Sequence, residues 1–357
     1  MSIEPNLVLK IKEFNSKESI EDYKNLLRLD WNNNIFYTYE YLIYHENKNQ
    51  KLKYFLFEKE DKPIILMPFF IRLIPTELNK DNPYFDVITP YGYGGPLFDS
   101  KYEDYLSCFW KKVDNWYKEN NIITEFVRFS LTNNCKNYSG NLEETLSNIK
   151  GQVLCNQETQ WENFSPKVRN NYRTAVKSDL SFTHHFGEEI TLKDIKDFHT
   201  IYTETMIRNN ANKSYFFSME YFENLIFENK NNFEIVFVVK DNLRISTELI
   251  IYWKDTLFAF LGGTNKEYFK YRPNDFLRVE VIKLACKKNM NYYVLGGGRK
   301  DGDSLFKSKK ALFPKDEDCI FYTGRKIINQ EIYKQLTANL NTESNPSFFP
   351  KYREPIK

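Results

Sequence analysis

Read as a strand, Arg244 to Trp253 places Ser246, Glu248, Ile250 and Tyr252 on one face and Thr247, Leu249 and Ile251 on the other. Glu248 is then a carboxylate in apolar company, where burial raises a pKa toward values useful for taking a proton from an amine. A general base so placed contributes roughly a hundredfold to ten-thousandfold. The same residue reads equally as half of an ion pair with Arg244 or another cation. Lys309, in the run KSKK, is a cation for a phosphate or for a developing oxyanion, or else a solvated lysine. Asp301 and Asp303 follow the glycine triplet 296–298; Asp303 is a candidate to orient an amine, although Asp-Gly-Asp-Ser is also turn composition. Arg169 and Arg173 stand four apart on a basic helix and so share a face that suits a diphosphate or a carboxylate, or simply water. Gly92, Gly94 and Gly95 alternate with Tyr91 and Tyr93, which lets backbone approach a sugar or peptide beside flat aromatic faces, or makes a plain turn. Tyr215, with Phe216 and Phe217, is either helix-entry core or an acceptor platform. His184 and His185 are adjacent on a strand and point apart, so they cannot share a metal ion, and no zinc, P-loop or Ser-His-Asp signature is present.

The elements that must position these residues centre on Leu257 to Phe313. Thr256 to Leu261 is a strand that Gly262 and Gly263 are expected to end. Pro273 opens a helix with Asp275 in its first turn. Leu277, Val281, Leu284 and Ala285 form its apolar stripe, leaving Arg278, Lys283, Lys287 and Lys288 to water. Tyr292 to Leu295 is the next strand, so the unit is βαβ with parallel neighbours, and loops beyond such strands are where an α/β sheet holds its ligand. Gly262, Gly263 and Gly297, with Lys307, are the candidates for holding a donor there.

Earlier in the chain, Leu7–Phe14 is a strand, and helices are expected from Ile20 and over Phe36–Tyr44. Lys53–Phe57 and Ile64–Leu73 form a hairpin, followed by strand Tyr84–Thr89, helix Tyr102–Glu119 and strand Thr124–Ser130. A second series has strand Val153–Glu158, helix Pro166–Ser178, strand Leu180–Phe186, helices near Leu192–Arg208 and Ser218–Glu228, and a hairpin of Phe233–Val239 with Arg244–Trp253. Hairpin, glycine-ended strand, helix and strand thus occur twice, a repeat of architecture without shared sequence. The boundary falls near 140–152, giving domains 1–145 and 146–335 and a tail over 336–357.

The chain has 357 residues, 41% hydrophobic and 17% aromatic, enough for a large core in two domains. A net charge of +2 gives no global field for nucleic acid. No run approaches the roughly 20 apolar residues of a membrane span, and no charged-then-apolar leader opens the sequence. Its five cysteines lack a C-x-x-C pair and read as reduced thiols, which points to a cytoplasmic protein.

At TPYGYGGPLF (89–98), PKVRNNYRTAVKSDL (166–180), LGGT (261–264), LGGG (295–298) and DSLFKSKKALF (303–313) the chain resembles the FemAB-like branch of the GNAT superfamily, with its BioF-like acetyltransferase relatives. The resemblance spans about 50–320. It implies an α/β chain with mixed sheets, built as two tandem GNAT-like acyltransferase domains with a ligand cleft between them. It also implies transfer of an acyl or aminoacyl group to a primary amine of a cell-envelope precursor. The family's Phe-Lys segment corresponds to Ser308-Lys309: Lys309 matches the lysine and Ser308 departs from the aromatic. The R/Q-x-x-G-x-G/A loop with which GNAT enzymes wrap the CoA pyrophosphate is missing from 265–272, which contain no glycine.

The resulting expectation is an N-acyltransferase moving an acetyl or similar group from acyl-CoA to an amine of a surface-polysaccharide or other envelope precursor. One alternative is an aminoacyl-tRNA-dependent enzyme building a peptidoglycan interpeptide bridge, with the basic set Lys307–Lys315 on the tRNA. Another is a non-catalytic glycan- or peptide-binding module. Expected partners are a nucleotide-linked or lipid-linked sugar or peptide, the latter bringing peripheral membrane contact. The donor is a substrate, and neither a resident cofactor nor a metal is expected.

Overall fold

Two folding units emerge in the computed structural model, which describes residues 5–75, 83–338 and 348–354. One unit comprises residues 1–145 with 321–357, and the other residues 146–320. The segment 321–335, which the sequence reading ascribes to the C-terminal domain, therefore belongs with the N-terminal unit.

In the first unit, β1 (Leu7–Glu13), β2 (Gln50–Lys59), β3 (Lys62–Leu73), β4 (Phe85–Ile88), β6 (Ile122–Arg128) and β13 (Cys319–Ile327, from residue 321 onward) lie side by side in that order, with β5 (Leu97–Phe98) on β3. Helices α1 (Lys17–Trp31) and α2 (Tyr39–Ile43) fall between β1 and β2. β4 and β6 are parallel and joined by α3 (Leu106–Glu119). Its Phe109, Trp110, Val113 and Tyr117 recur at helical spacing and pack on Phe55, Phe57 and Phe69, giving the apolar stripe a sheet to bury against. α10 (Gln330–Thr337) follows β13. Of the expected tail, 348–354 is docked: Arg353 Nε and Tyr352 Oη reach the buried carboxylate of Asp86 at 2.8 and 3.2 Å, opposite Arg72 Nε at 2.5 Å. The rest of 339–357 lies outside the described residues.

The second unit repeats the plan. Its elements are β7 (Asn141–Gln152, from residue 146), α4 (Gln157–Asn163), α5 (Pro166–Val176), β8 (Ser181–Phe186), α6 (Leu192–Arg208), α7 (Met219–Glu228), β9 (Phe233–Lys240), β10 (Leu243–Trp253), β11 (Thr256–Thr264), α8 (Pro273–Lys287), β12 (Tyr292–Gly296) and α9 (Ser304–Lys310). The strand order is β8-β9-β10-β11-β12-β7, with β11 and β12 parallel around α8. One sheet face is covered by α5 and α8, the other by α6.

Three expectations give way. Val153–Glu158 is not a strand: β7 ends at Gln152, and the Asn156 side chain accepts the N–H of Thr159 at 2.9 Å, capping α4 instead. The pair Gly262-Gly263 does not end a strand but lies inside β11, opposite Glu248 and Thr247 of β10. α9 forms where the sequence suggested only a basic segment.

Gly263 has a packing reason. A Cβ there would sit 2.6 Å from the carbonyl oxygen of Ile201 and 2.7 Å from Thr205 Oγ1, both on α6. Gly263→Val is therefore expected to push α6 off the sheet and lower stability by roughly 1–3 kcal/mol. Urea denaturation measures this; an unchanged midpoint would show that α6 does not press on β11.

Candidate active site

β11 and β12 pair only over Thr256–Phe258 with Tyr292–Val294 and then part. Burial changes at the same place: Thr256, Leu257 and Phe258 are buried, whereas Ala259 to Gly263 are half-exposed. The parallel pair thus opens a wedge at the carboxyl ends of the two strands, lined on one side by backbone without a strand neighbour.

Glu248 lies deep beside this wedge, 6% exposed. The hydroxyl of Tyr293, on β12, donates to its Oε1. Burial raises the Glu248 pKa above the ordinary carboxylate range, opposed by the charge of Arg278, the Tyr293 hydrogen bond and the charge of Lys309. Lys309 Nζ donates to the carbonyl oxygen of Gly297, just past β12, at 2.6 Å. Burial, then the charge of Arg278, pulls the Lys309 pKa down to about 8, while Glu248 and Asp303 oppose the shift. Four side chains from four elements, β10, β12, α8 and α9, therefore meet as one electrostatic cluster.

The ion-pair alternative with Arg244 is removed. Arg244 is committed to Asp194 and Asp197, each at 2.7 Å.

Arg278 was taken for a solvated position and is the main residue the sequence reading missed. Its Nε is buried and has no hydrogen-bond partner, an unusual state for a guanidinium donor. A signal was present. Phe276, Leu277, Val279, Val281, Ile282, Leu284 and Ala285 go round more than one face of α8, and all are buried; Arg278, set between Leu277 and Val279 on such a helix, is drawn partly inside, whereas Lys287 near its end stays exposed. Tyr293, read only as strand filling, was missed likewise.

Other candidates find different employment. Asp303 caps α9: its carboxylate accepts the N–H groups of Phe306 and Arg299 at 2.8 Å and of Lys300 at 3.3 Å, which hold its pKa down. With its oxygens so engaged, it positions Lys309's helix rather than an amine. Arg169 and Arg173 do not form a shared grip. The chain end of α4 presents free carbonyls, and Arg169 Nη1 donates to those of Phe164 and Glu162; Arg173 lies over the Trp161 ring, 5.4 Å from its centroid. Lys307 is exposed on α9. Tyr215, half-buried, accepts the Tyr202 hydroxyl on its backbone oxygen at 2.5 Å.

The tyrosine-glycine segment belongs to the first unit. Gly92 and Gly95 have φ of 87° and 79°, which explains two of its glycines by backbone alone. Tyr41 Oη donates to the Tyr91 carbonyl at 2.8 Å, Tyr37 Oη to that of Gly95 at 3.0 Å, and Asn134 Nδ2 to that of Gly94 at 2.8 Å. The Tyr93 ring packs edge-on against Phe36 and Phe321, whereas the Tyr91 side chain is 47% exposed.

With this geometry in hand, comparison with known proteins identifies one domain. A model of the acetyltransferase (GNAT) domain matches residues 166–308. The second unit carries a GNAT domain. The wedge is then the parting of that domain's parallel strands, and α8 is its central helix. No curated protein matches the chain in sequence. Among solved structures the chain is similar to FemX, with a TM-score of 0.63, 12% identity, and 91% of this chain and 99% of that one covered. It is similar also to L-PGS from Bacillus licheniformis, with a TM-score of 0.55, 11% identity, and 90% and 94% covered. A third is the C-terminal domain of a protein from Agrobacterium fabrum assigned as a lysylphosphatidylglycerol synthetase, with a TM-score of 0.54, 12% identity, and 90% and 94% covered. At these identities the likeness is one of fold. Among the described residues no helix is long and apolar enough to cross a membrane.

The lowered pKa of Lys309 fixes a sign. Between about pH 8 and 10.5 the unfolded chain holds the lysine proton and the folded chain does not, so stability contributed by this site rises with pH in that window and is flat below it. The stability of the wild type relative to Lys309→Met is expected to increase between about pH 7.5 and 10, by urea denaturation at each pH. A constant difference would mean that Lys309 titrates as an ordinary lysine.

Proposed function

We propose that the chain is an N-acyltransferase that moves an acyl group onto a primary amine of a cell-envelope precursor, with chemistry at the Glu248–Arg278–Lys309–Tyr293 cluster. The observation that carries this reading is the buried guanidinium donor of Arg278 left unmatched beside a carboxylate of raised pKa in the strand wedge. The amine nitrogen attacks the acyl carbonyl, a C–N bond forms, and the carbonyl oxygen becomes negative. Arg278 and Lys309 supply the positive field for that oxygen. Glu248, directly or through water, takes the amine proton, and the bond to the carrier breaks as the carrier leaves with a proton. Gly262, Gly263 and Gly297 line the donor side; Tyr91 and Tyr93 remain candidates for the acceptor.

The donor that fits best is an aminoacyl-tRNA. In segment 265–272 the chain closes on itself: the side chain and carbonyl of Asn265 take the N–H groups of Glu267 and Tyr268 at 3.0 and 3.2 Å, and Phe269 takes that of Arg272 at 3.1 Å. Pro273 then removes one more donor from the start of α8, and Asp275 sits in its first turn. The amides of Glu267, Tyr268 and Arg272 are thus taken, whereas Arg272, Arg278 and Lys167 act on Asp275 as a cationic set suited to phosphates held by side chains. FemX and L-PGS supply the same direction by fold alone. Acyl-CoA is the second reading, favoured by the GNAT domain match over 166–308.

Incubating the chain with labelled acetyl-CoA or labelled aminoacyl-tRNA and a panel of amino-sugar and lysine-bearing envelope precursors tests both. One donor should be consumed, with Glu248→Gln and Lys309→Met each slower by roughly tenfold or more, and tRNA affinity should fall steeply with salt. Wild-type rates in both variants would overturn the site. Binding of a precursor with neither donor consumed would make the chain a binding module.

A further inference from the structure

Beyond Arg278, the later turns of α8 border a cavity that the reaction does not use. It measures about 260 Å³ and is lined by Leu154, Trp161, Phe164, Ile282 and Cys286, with Gln157, Glu158, Gln160 and Lys283 as polar members. One wall is α4, which precedes the residues matched as a GNAT domain.

Gln160 gives the cavity its chemistry. The residue is 6% exposed, its Oε1 accepts the N–H of Leu154 at 2.8 Å, and its Nε2 is buried without a partner. The amide cannot be turned over, because the Leu154 N–H requires the oxygen. A buried donor is thus left over beside a mainly apolar slot, and buried donors are rarely left so. Lys283 adds positive charge: its Nζ reaches Tyr172 Oη at 2.6 Å and Glu280 Oε1 at 2.9 Å. Gln160 Nε2 asks for an acceptor, Lys283 keeps one ammonium N–H beyond those given to Tyr172 and Glu280, and the apolar lining asks for an apolar body.

We propose that this cavity is a second small-molecule site, which binds a monocarboxylate with an apolar body. A dry cavity of about 150 Å³ holds benzene, so this volume suits about ten non-hydrogen atoms. Medium-chain fatty acids and bicyclic aromatic acids share that chemistry. The carboxylate meets Gln160 Nε2 and Lys283, and the body lies against Trp161, Phe164 and Ile282.

Calorimetric titration of the full chain with octanoate and, separately, 2-naphthoate tests the proposal and tells the two sources apart, with octylamine as the head-group control. Saturable binding of one acid is expected, with octylamine failing to compete. Gln160→Glu keeps the acceptor for Leu154 but sets a carboxylate against the ligand, and should weaken binding by at least about tenfold, 1.4 kcal/mol. Cys286→Phe fills the slot and should weaken it as well, which keeps the test decisive if Gln160→Glu does not fold. No saturation by either acid up to about 10 mM, equal binding of octylamine, or wild-type affinity in a folded variant would overturn the site. None of these outcomes bears on acyl transfer at Glu248.

Discussion

The second unit depends on how it accommodates one buried carboxylate. Glu248 sits on β10, with β9 on one side and β11 on the other. A charge in that position is strongly disfavoured unless other groups answer it. The answer comes from three further elements: the Tyr293 hydroxyl of β12, Arg278 of α8 and Lys309 of α9. Their placement is linked in turn. Lys309 is held by the Gly297 carbonyl, and its helix is started by the Asp303 cap. The residues that neutralise Glu248 therefore also fix the far edge of the strand wedge.

The response is partial, and that is chemically useful. Two cations and a hydroxyl do not return Glu248 to an ordinary carboxylate pKa, and the same crowding of positive charge with burial brings Lys309 down to about 8. The carboxylate is shifted upward and the ammonium downward, so burial acts against the charged form of each. A fully satisfied network would give rigidity without those shifts.

Much of this was legible in the sequence, for a physical reason. Strands such as Arg244–Trp253 and helices such as Leu192–Arg208 bury one face or stripe, and that alone writes a period into the chain. The β11-α8-β12 unit and the candidacy of Glu248 came from the same source, whereas Lys309 stood out through the resemblance of Ser308-Lys309 to a family segment. What escaped has no such period. β7 reads NLEETLSNIKGQ, whose first four residues are exposed, so no alternation marks it. α4 and α9 have seven residues each and are announced by caps rather than stripes. Arg278 was misplaced because one stripe was drawn on a helix buried on more than one face. Arg169 and Arg173 share a helical face as spacing required, but spacing says nothing about the carbonyls of α4 that capture the first of them.

The first unit answers its buried carboxylates in another way. It too buries carboxylates on its strands, Asp86 on β4 and Glu125 on β6, both fully inaccessible. Each is closed by direct ion pairs: Asp86 by Arg72 and Arg353 at 2.5 and 2.8 Å, and Glu125 by Lys326 at 3.1 Å, with the Tyr138 hydroxyl at 2.9 Å. Lys326 is enclosed by Trp110, Tyr117 and Tyr138, 4.9, 5.6 and 4.8 Å from their ring centroids. Removing one partner from such a pair strands a charge, so these contacts hold strands and the C-terminal segment 348–354 in place. Glu248 differs in kind. Its cations act on it through the field rather than through a closed pair, and the donor of Arg278 stays unmatched. Arg325 of the first unit also has a buried Nε without a hydrogen-bond partner, so what sets the second unit apart is the carboxylate of raised pKa on which Arg278 acts.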